Sequence, residues 1–128
     1  MNKRRTAFAF LASGAWISIS EFARNELVFK TYWLDKYMSL GLVFPSESLN
    51  NALWGVWSFM LSGLVIYLLY KMRFHETIIV VWIAAFSMMW IVVGNLGVLP
   101  IGLLLFAIPW SILEVTIAAF LGKKILGI

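Results

Sequence analysis

The chain of 128 residues has no cysteine, one histidine and little charge, 12% of residues against about 25% in soluble domains. The lack of cysteine excludes disulfides and thiolate metal sites, and a single histidine excludes haem held by a histidine pair. Disordered proteins need low hydrophobicity. Here 62% of residues are hydrophobic, more than a soluble fold of this size buries in one core. The composition therefore indicates an integral membrane protein.

Three segments are apolar enough to cross about 30 Å of hydrocarbon as helices. A fourth, which starts at Thr6, is interrupted at Glu21 and can span if its polar residues face protein rather than lipid. We predict one polytopic domain over residues 1–128, with spans at about 6–29, 50–71, 77–98 and 101–122 and an outer connection at about 30–46. The connections between the last three spans are short, so these spans should be antiparallel neighbours. The predicted fold class is an all-α integral membrane protein, an antiparallel bundle of four transmembrane helices.

The first span has an alternative interpretation. A basic run, Lys3 to Arg5, precedes its apolar stretch, and Ser13 to Ala15 supplies small residues of the kind found at signal-peptide cleavage sites. The apolar stretch before those small residues is short for a signal peptide. We therefore expect a retained first span.

The first connection has aromatic and apolar residues at helical spacing between residues 31 and 40. This pattern predicts a short interfacial helix between spans one and two, lying on the outer membrane surface. The alternative is an extended loop anchored by its aromatic side chains. Pro45 and Ser46 then predict the start of the next helix, with Ser46 as its N-cap.

Basic residues occur at three places that an even number of spans brings to one side of a membrane. They are Lys3, Arg4, Arg5, Lys71, Arg73, Lys123 and Lys124. The positive-inside rule predicts that both termini are cytoplasmic, in a plasma or inner membrane. This distribution also explains the net charge of +4 through contact with anionic lipid, so the bilayer is an expected partner and nucleic acid is not.

Two glutamates fall on stripes of small residues inside the predicted spans, Glu21 in the first and Glu114 in the fourth. The residues expected at helix contacts are Gly14, Ser18, Ala107, Ser111 and Ala118. An ionised carboxylate in hydrocarbon costs several kcal/mol. Each glutamate should therefore be protonated, paired with a cation, or open to a water-filled cavity. Both are candidate proton-binding or transport residues.

Depth along the helices suggests how these groups are distributed. At 1.5 Å per residue, Glu21 and Glu114 differ in depth by about 9 Å. We expect Glu114 to be an isolated carboxyl, and an outer polar cluster to contain Glu21, Arg24, Asn25, Glu26 and Asn95. Glu114 serves equally well as a coupling site or as a hydrogen-bonding contact between helices. The local pairing of Arg24 favours a structural role for that residue.

Three tryptophans, Trp16, Trp90 and Trp110, lie deep in the predicted spans. A buried indole N–H needs an acceptor, so we expect these side chains to face other helices.

No motif for catalysis occurs in the sequence. His75 is the single histidine, and it lies in a predicted turn. There is no P-loop, dinucleotide fingerprint or nucleophile elbow. The sequence thus predicts no enzyme activity, no cofactor and no metal site.

In gross plan the chain resembles the small multidrug resistance transporters, which also have four short helices and an essential glutamate in helix one. The residues around Glu21, from Ser20 to Asn25, differ from the motif of that family, and the strong charge bias differs from the balanced loops of its dual-topology members. We therefore assign no family. We predict a homo-oligomeric transporter or channel, linked to protons or ions through an intramembrane carboxylate. The alternative is a non-catalytic subunit that stabilises or regulates a larger membrane complex.

Overall fold

The structure, a computed structural model, describes residues 2–128. Its helices, with the π and 3-10 turns that continue them, are α1 (Lys3–Val28), α2 (Lys30–Ser39), α3 (Ser48–Leu69), α4 (Phe74–Asn95) and α5 (Ile101–Leu126). No strand occurs within residues 2–128. All but α2 are long and apolar enough to cross a membrane, which confirms the predicted all-α fold with four spanning helices.

The four long helices form an antiparallel bundle. Helix α1 packs against α3 and α5, and α4 packs against the same two helices from another side. At one end, the hydroxyls of Thr6 and Tyr70 are 2.7 Å apart, and the Lys123 ammonium is 5.3 Å from the ring centroid of Phe74. The start of α1, the α3–α4 turn and the end of α5 therefore meet at this end, which we call the basic end. The opposite end, covered by α2, is called the α2 end.

Small residues allow the helices to approach closely. Gly14 faces the ring of Phe59, and a Cβ added at Gly14 would overlap that ring. The Ser13 hydroxyl donates to the carbonyl of Ala118 on α5 (3.1 Å). The other predicted contact residues on α5, Ala107 and Ser111, are buried in the bundle, whereas Ser18 is half-buried.

Two of the long helices leave α geometry for one turn. Helix α1 ends in a π-helical segment, Ala23–Val28, and α4 contains another, Ile83–Ser87. Arg24 lies in the first and Phe86 in the second, with the guanidinium 5.1 Å from the ring centroid. Such π turns are frequent at functional sites. Here a buried contact between a guanidinium and an aromatic ring joins the two π turns.

The first connection contains the predicted short helix, α2, and the alternative of an extended loop is wrong. The N-cap prediction at Ser46 is also wrong, because α3 begins at Ser48 and Glu47 is its N-cap. The amide of Glu47 donates to Oδ1 of Asn50 (3.0 Å). This contact is one half of a capping box, which satisfies an orphan N–H at the start of the helix.

Candidate functional site

Two tryptophan hydrogen bonds fix the register of α5 against α1. Nε1 of Trp16 donates to the carbonyl of Glu114 (3.0 Å), and Nε1 of Trp110 donates to the hydroxyl of Ser20 (3.0 Å). Both indoles therefore face another helix, as the sequence predicts. The bonds place Glu114 level with Trp16, and Glu21 lies little more than one helical turn further along α1.

The carboxyl groups of Glu21 and Glu114 meet in the core of the bundle. Their residues are 2% and 1% exposed. The Glu114 carboxyl lies near the Glu21 carboxyl and the Ser20 hydroxyl, although neither group forms a hydrogen bond to its oxygens. The prediction that Glu114 is isolated is therefore wrong. The two residues differ in level along the bundle axis, but their long side chains extend toward each other across the helix interface.

A single cation, Arg24, neutralises part of this acidic pair. One carboxylate oxygen of Glu21, Oε2, accepts from Nη2 of Arg24 (2.5 Å) and from Nδ2 of Asn25 (3.0 Å). Arg24 is 4% exposed and its guanidinium lies over Phe86. The predicted grouping of Glu21 with Arg24 and Asn25 is present, now with Glu114 added to it.

Several buried polar atoms of this cluster have no hydrogen-bond partner among residues 2–128. They are Oε1 of Glu21, both carboxylate oxygens of Glu114 and Nη1 of Arg24. With both carboxyls ionised, two negative charges would face one positive charge. One proton held between the carboxyls makes the cluster neutral and supplies a donor to an oxygen that has none. The arrangement is therefore suited to binding and releasing a proton.

The two remaining residues of the predicted cluster occupy other positions. Glu26 forms an ion pair with Lys30 (3.0 Å), and the two side chains are 25% and 38% exposed. Asn95 is exposed near the end of α4, and none of the described side-chain hydrogen bonds joins it to Glu21 or Arg24. A suitable depth along α4 is therefore not enough to bring Asn95 into the cluster, because the residue is exposed on the bundle surface.

Three cavities reach the cluster from different directions. A cavity of about 460 Å³ at the α2 end is lined by Arg24, and a smaller one of about 160 Å³ between α1 and α3 is lined by Glu21. A groove of about 720 Å³ between α1 and α5 is lined by Ser20 and Glu114. Each charged member of the buried cluster therefore borders its own cavity.

The path from the cluster to the basic end is filled by small and branched side chains. Val65 of α3 and Val115 and Ala118 of α5 are at most 1% exposed. A Cβ added at Gly122 would already crowd the side chains of neighbouring residues on α3. The cavities that reach the carboxyl pair therefore do not continue through this part of the bundle.

Sequence reasoning did not find one residue of the site, Phe86, because it is one apolar side chain within an apolar span. No group of three or more metal-ligating side chains that could hold an ion occurs within residues 2–128. No protein-family model, curated protein or solved structure matches this chain.

Proposed function

We propose that this four-helix membrane protein is a proton-linked transporter in which Glu21 and Glu114 carry the proton. The observation that supports this proposal is the meeting of two buried carboxyls beside a single cation, Arg24, with three carboxylate oxygens left without partners. Intramembrane ionisable residues that face the bundle interior mark proton relays in pumps and transporters.

A contact that served only to hold the helices together would not need three ionisable side chains. A neutral pair of polar side chains already joins helices, and such contacts contribute about 0.6–2 kcal/mol. The tryptophan bonds to the Glu114 carbonyl and to Ser20 already join α1 and α5 in that way. A second acid in the same core adds desolvation cost without a partner. A role in proton exchange would explain why a second acid is buried there despite the desolvation cost.

The closed path toward the basic end favours a transporter over a channel. The cavities reach the cluster from the α2 end and from the side, whereas Val65, Val115 and Ala118 fill the other direction. A conducting channel needs a continuous path, but a transporter exposes its site to one side at a time. We propose that helix movement opens the basic end after the proton has bound.

We propose that the basic end faces the cytoplasm. Arg5 lies beside the C-terminal turn at Gly127, and Lys123 lies over Phe74 near the α3–α4 turn, so the basic segments form one surface. Lysine and arginine near the ends of spans set orientation by the positive-inside rule. The α2 end, with its cavity, would then face outward.

Self-association stays a prediction from the small size of the chain, and so does the alternative role as a subunit of a larger complex. The carboxyl pair is complete within one chain, so the transport proposal does not depend on a second copy. The mass of the detergent-extracted protein tests both predictions. A reproducible hetero-complex would favour the subunit role, and a homodimer would weaken it.

Proton movement in proteoliposomes tests the transport proposal. With a pH-sensitive dye inside, we expect a membrane potential or an opposing Na⁺ or K⁺ gradient to drive protons faster than in empty liposomes. Glu114→Gln and Glu21→Gln should abolish the difference. Glu76→Gln is a matched control, since Glu76 pairs only with exposed Arg73 at the basic end.

The outcome that rejects transport is equally specific. Wild-type protein that is monodisperse and helical, yet moves no protons under any of these gradients, would exclude the proposal. Wild-type activity in both core variants would exclude the assigned residues.

A further inference from the structure

The cavity at the α2 end has the size and lining of a small-molecule site. It measures about 460 Å³, within the range of roughly 300–1,000 Å³ that is usual for such sites. Five aromatic side chains from α2, α3 and α4 line it: Trp33, Tyr37, Trp54, Trp57 and Trp90. Flat faces of this kind contact a ring or other apolar body at low cost in side-chain entropy.

A buried cation with unused donors lies at the inner wall of this cavity. Arg24 lines it, is 4% exposed, and has only Nη2 engaged with Glu21, whereas its Nη1 has no partner. The amides of Asn50 and Asn51 line the same cavity. Guanidinium and amide N–H groups are the donors that bind a carboxylate.

We infer that this cavity binds a small organic anion whose carboxylate contacts Arg24 and whose flat apolar body lies among the tryptophans. Aromatic walls also attract cations, so the sign of the ligand charge depends on the other groups. The acid at the cavity, Glu26, is already paired with Lys30. No charged side chain of α3 or α4 lines the cavity, which leaves Arg24 as the deciding charge.

Charge balance links the anion to the proton. Without ligand, Arg24 and one proton balance Glu21 and Glu114. A bound carboxylate adds one negative charge beside Arg24, and a second proton on the carboxyl pair restores neutrality. Anion binding should therefore take up about one proton. This coupling rests on the proposed function, whereas binding to the cavity does not.

Binding is tested with benzoate as the probe on the detergent-solubilised full chain. Four of the seven tryptophans line the cavity, so tryptophan fluorescence should respond to benzoate in a saturable way, with a Kd of about 1 mM for so small a ligand. Benzyltrimethylammonium and benzyl alcohol, which have similar rings with positive and zero charge, should bind at least about tenfold more weakly. Equal or tighter binding of the cation, or no saturation by benzoate, would overturn the inference.

Variants separate the contribution of Arg24 from damage to the fold. Arg24→Gln should weaken benzoate binding about tenfold or more. Since this change leaves Glu21 without its cation, the double variant Glu21→Gln/Arg24→Gln is measured beside it and should also lose binding. Arg73→Gln, an exposed arginine at the basic end, should bind like the wild type. Wild-type affinity in the folded double variant would exclude Arg24 as the anion ligand.

Calorimetry in two buffers of different ionisation enthalpy tests the coupling. We expect uptake of about one proton per benzoate in the wild type and less in Glu114→Gln. Benzoate binding without proton uptake would overturn the coupling, but the inference that the cavity binds an anion would stand. Arg24-dependent binding by a protein that moves no protons even with a benzoate gradient across the proteoliposome membrane would reject the transport proposal alone, and proton movement without benzoate binding would reject this inference alone.

Discussion

The indole nitrogen of Trp16 donates a 3.0 Å hydrogen bond to the main-chain carbonyl of Glu114, so a side chain of α1 holds the turn of α5 that carries a buried carboxyl. The Glu114 side chain in turn meets Glu21 on the same helix as Trp16. The contact that sets the helix register therefore also sets the distance between the two acids. Fold stability and the chemistry of the site depend here on the same interface.

Replacement of Trp16 by phenylalanine tests this dependence. Trp16→Phe retains a ring but removes the donor, and we expect a loss of about 1 kcal/mol in unfolding free energy. Proton movement should fall as well, because the turn that carries Glu114 loses one of its contacts. Thermal unfolding in detergent and the proteoliposome assay measure the two effects. Tyr67→Phe, which removes a hydroxyl from a residue that is 59% exposed, is the control, and equal melting of both variants would contradict the prediction.

The close contact at Gly14 predicts a strong response to one added methyl group. Gly14→Ala places a Cβ into the ring of Phe59, and we expect destabilisation by about 1–3 kcal/mol from overpacking. Gly55→Ala, on α3 with open space around the new Cβ, should be tolerated. Phe59→Leu should partly rescue Gly14→Ala, and thermal unfolding of the single and double variants measures this coupling. Additive effects of the two changes would show that the ring is not the obstacle.

The buried ion pair predicts that substitutions of its two members have non-additive effects on the free energy of unfolding. Arg24→Gln leaves Glu21 without its cation, and the loss of one member of a buried pair costs about 3–5 kcal/mol. Glu21→Gln/Arg24→Gln removes both charges and should recover much of that stability, since the amide still bonds to Asn25. Chemical or thermal unfolding of the wild type, the single variants and the double variant measures the coupling. A double variant less stable than Arg24→Gln would contradict the prediction.

The number and type of the helices follow directly from the sequence, because a membrane span requires a long uninterrupted apolar segment. The exact ends do not follow, because they depend on local contacts. Helix α4 begins at Phe74 rather than near residue 77, since the amide of Arg73 donates to Glu76 and caps the first turn (2.9 Å). Helix α5 continues to Leu126 rather than ending near residue 122, and there Lys123 lies over the ring of Phe74.

The composition of the site was only partly predictable for a related reason. Residue spacing places Glu21, Arg24 and Asn25 on one region of α1, and the structure joins them by hydrogen bonds. Spacing within a helix gives neither its rotation against other helices nor the reach of its side chains. Glu114 joins the cluster and Asn95 does not because of the rotation of their helices and the reach of their side chains.

Orientation in the membrane is predicted by the charges and is directly measurable, because the chain has no native cysteine. A cysteine at Ser46, an exposed residue between α2 and α3, should react with a membrane-impermeant maleimide added outside intact cells. A cysteine at His75, exposed at the basic end, should react only after the cells are opened. The positive-inside rule gives this result because the lysines and arginines of the basic end resist translocation. Labelling of the residue-75 cysteine in intact cells, with protection of the residue-46 cysteine, would reverse the proposed orientation and place the aromatic cavity on the cytoplasmic side.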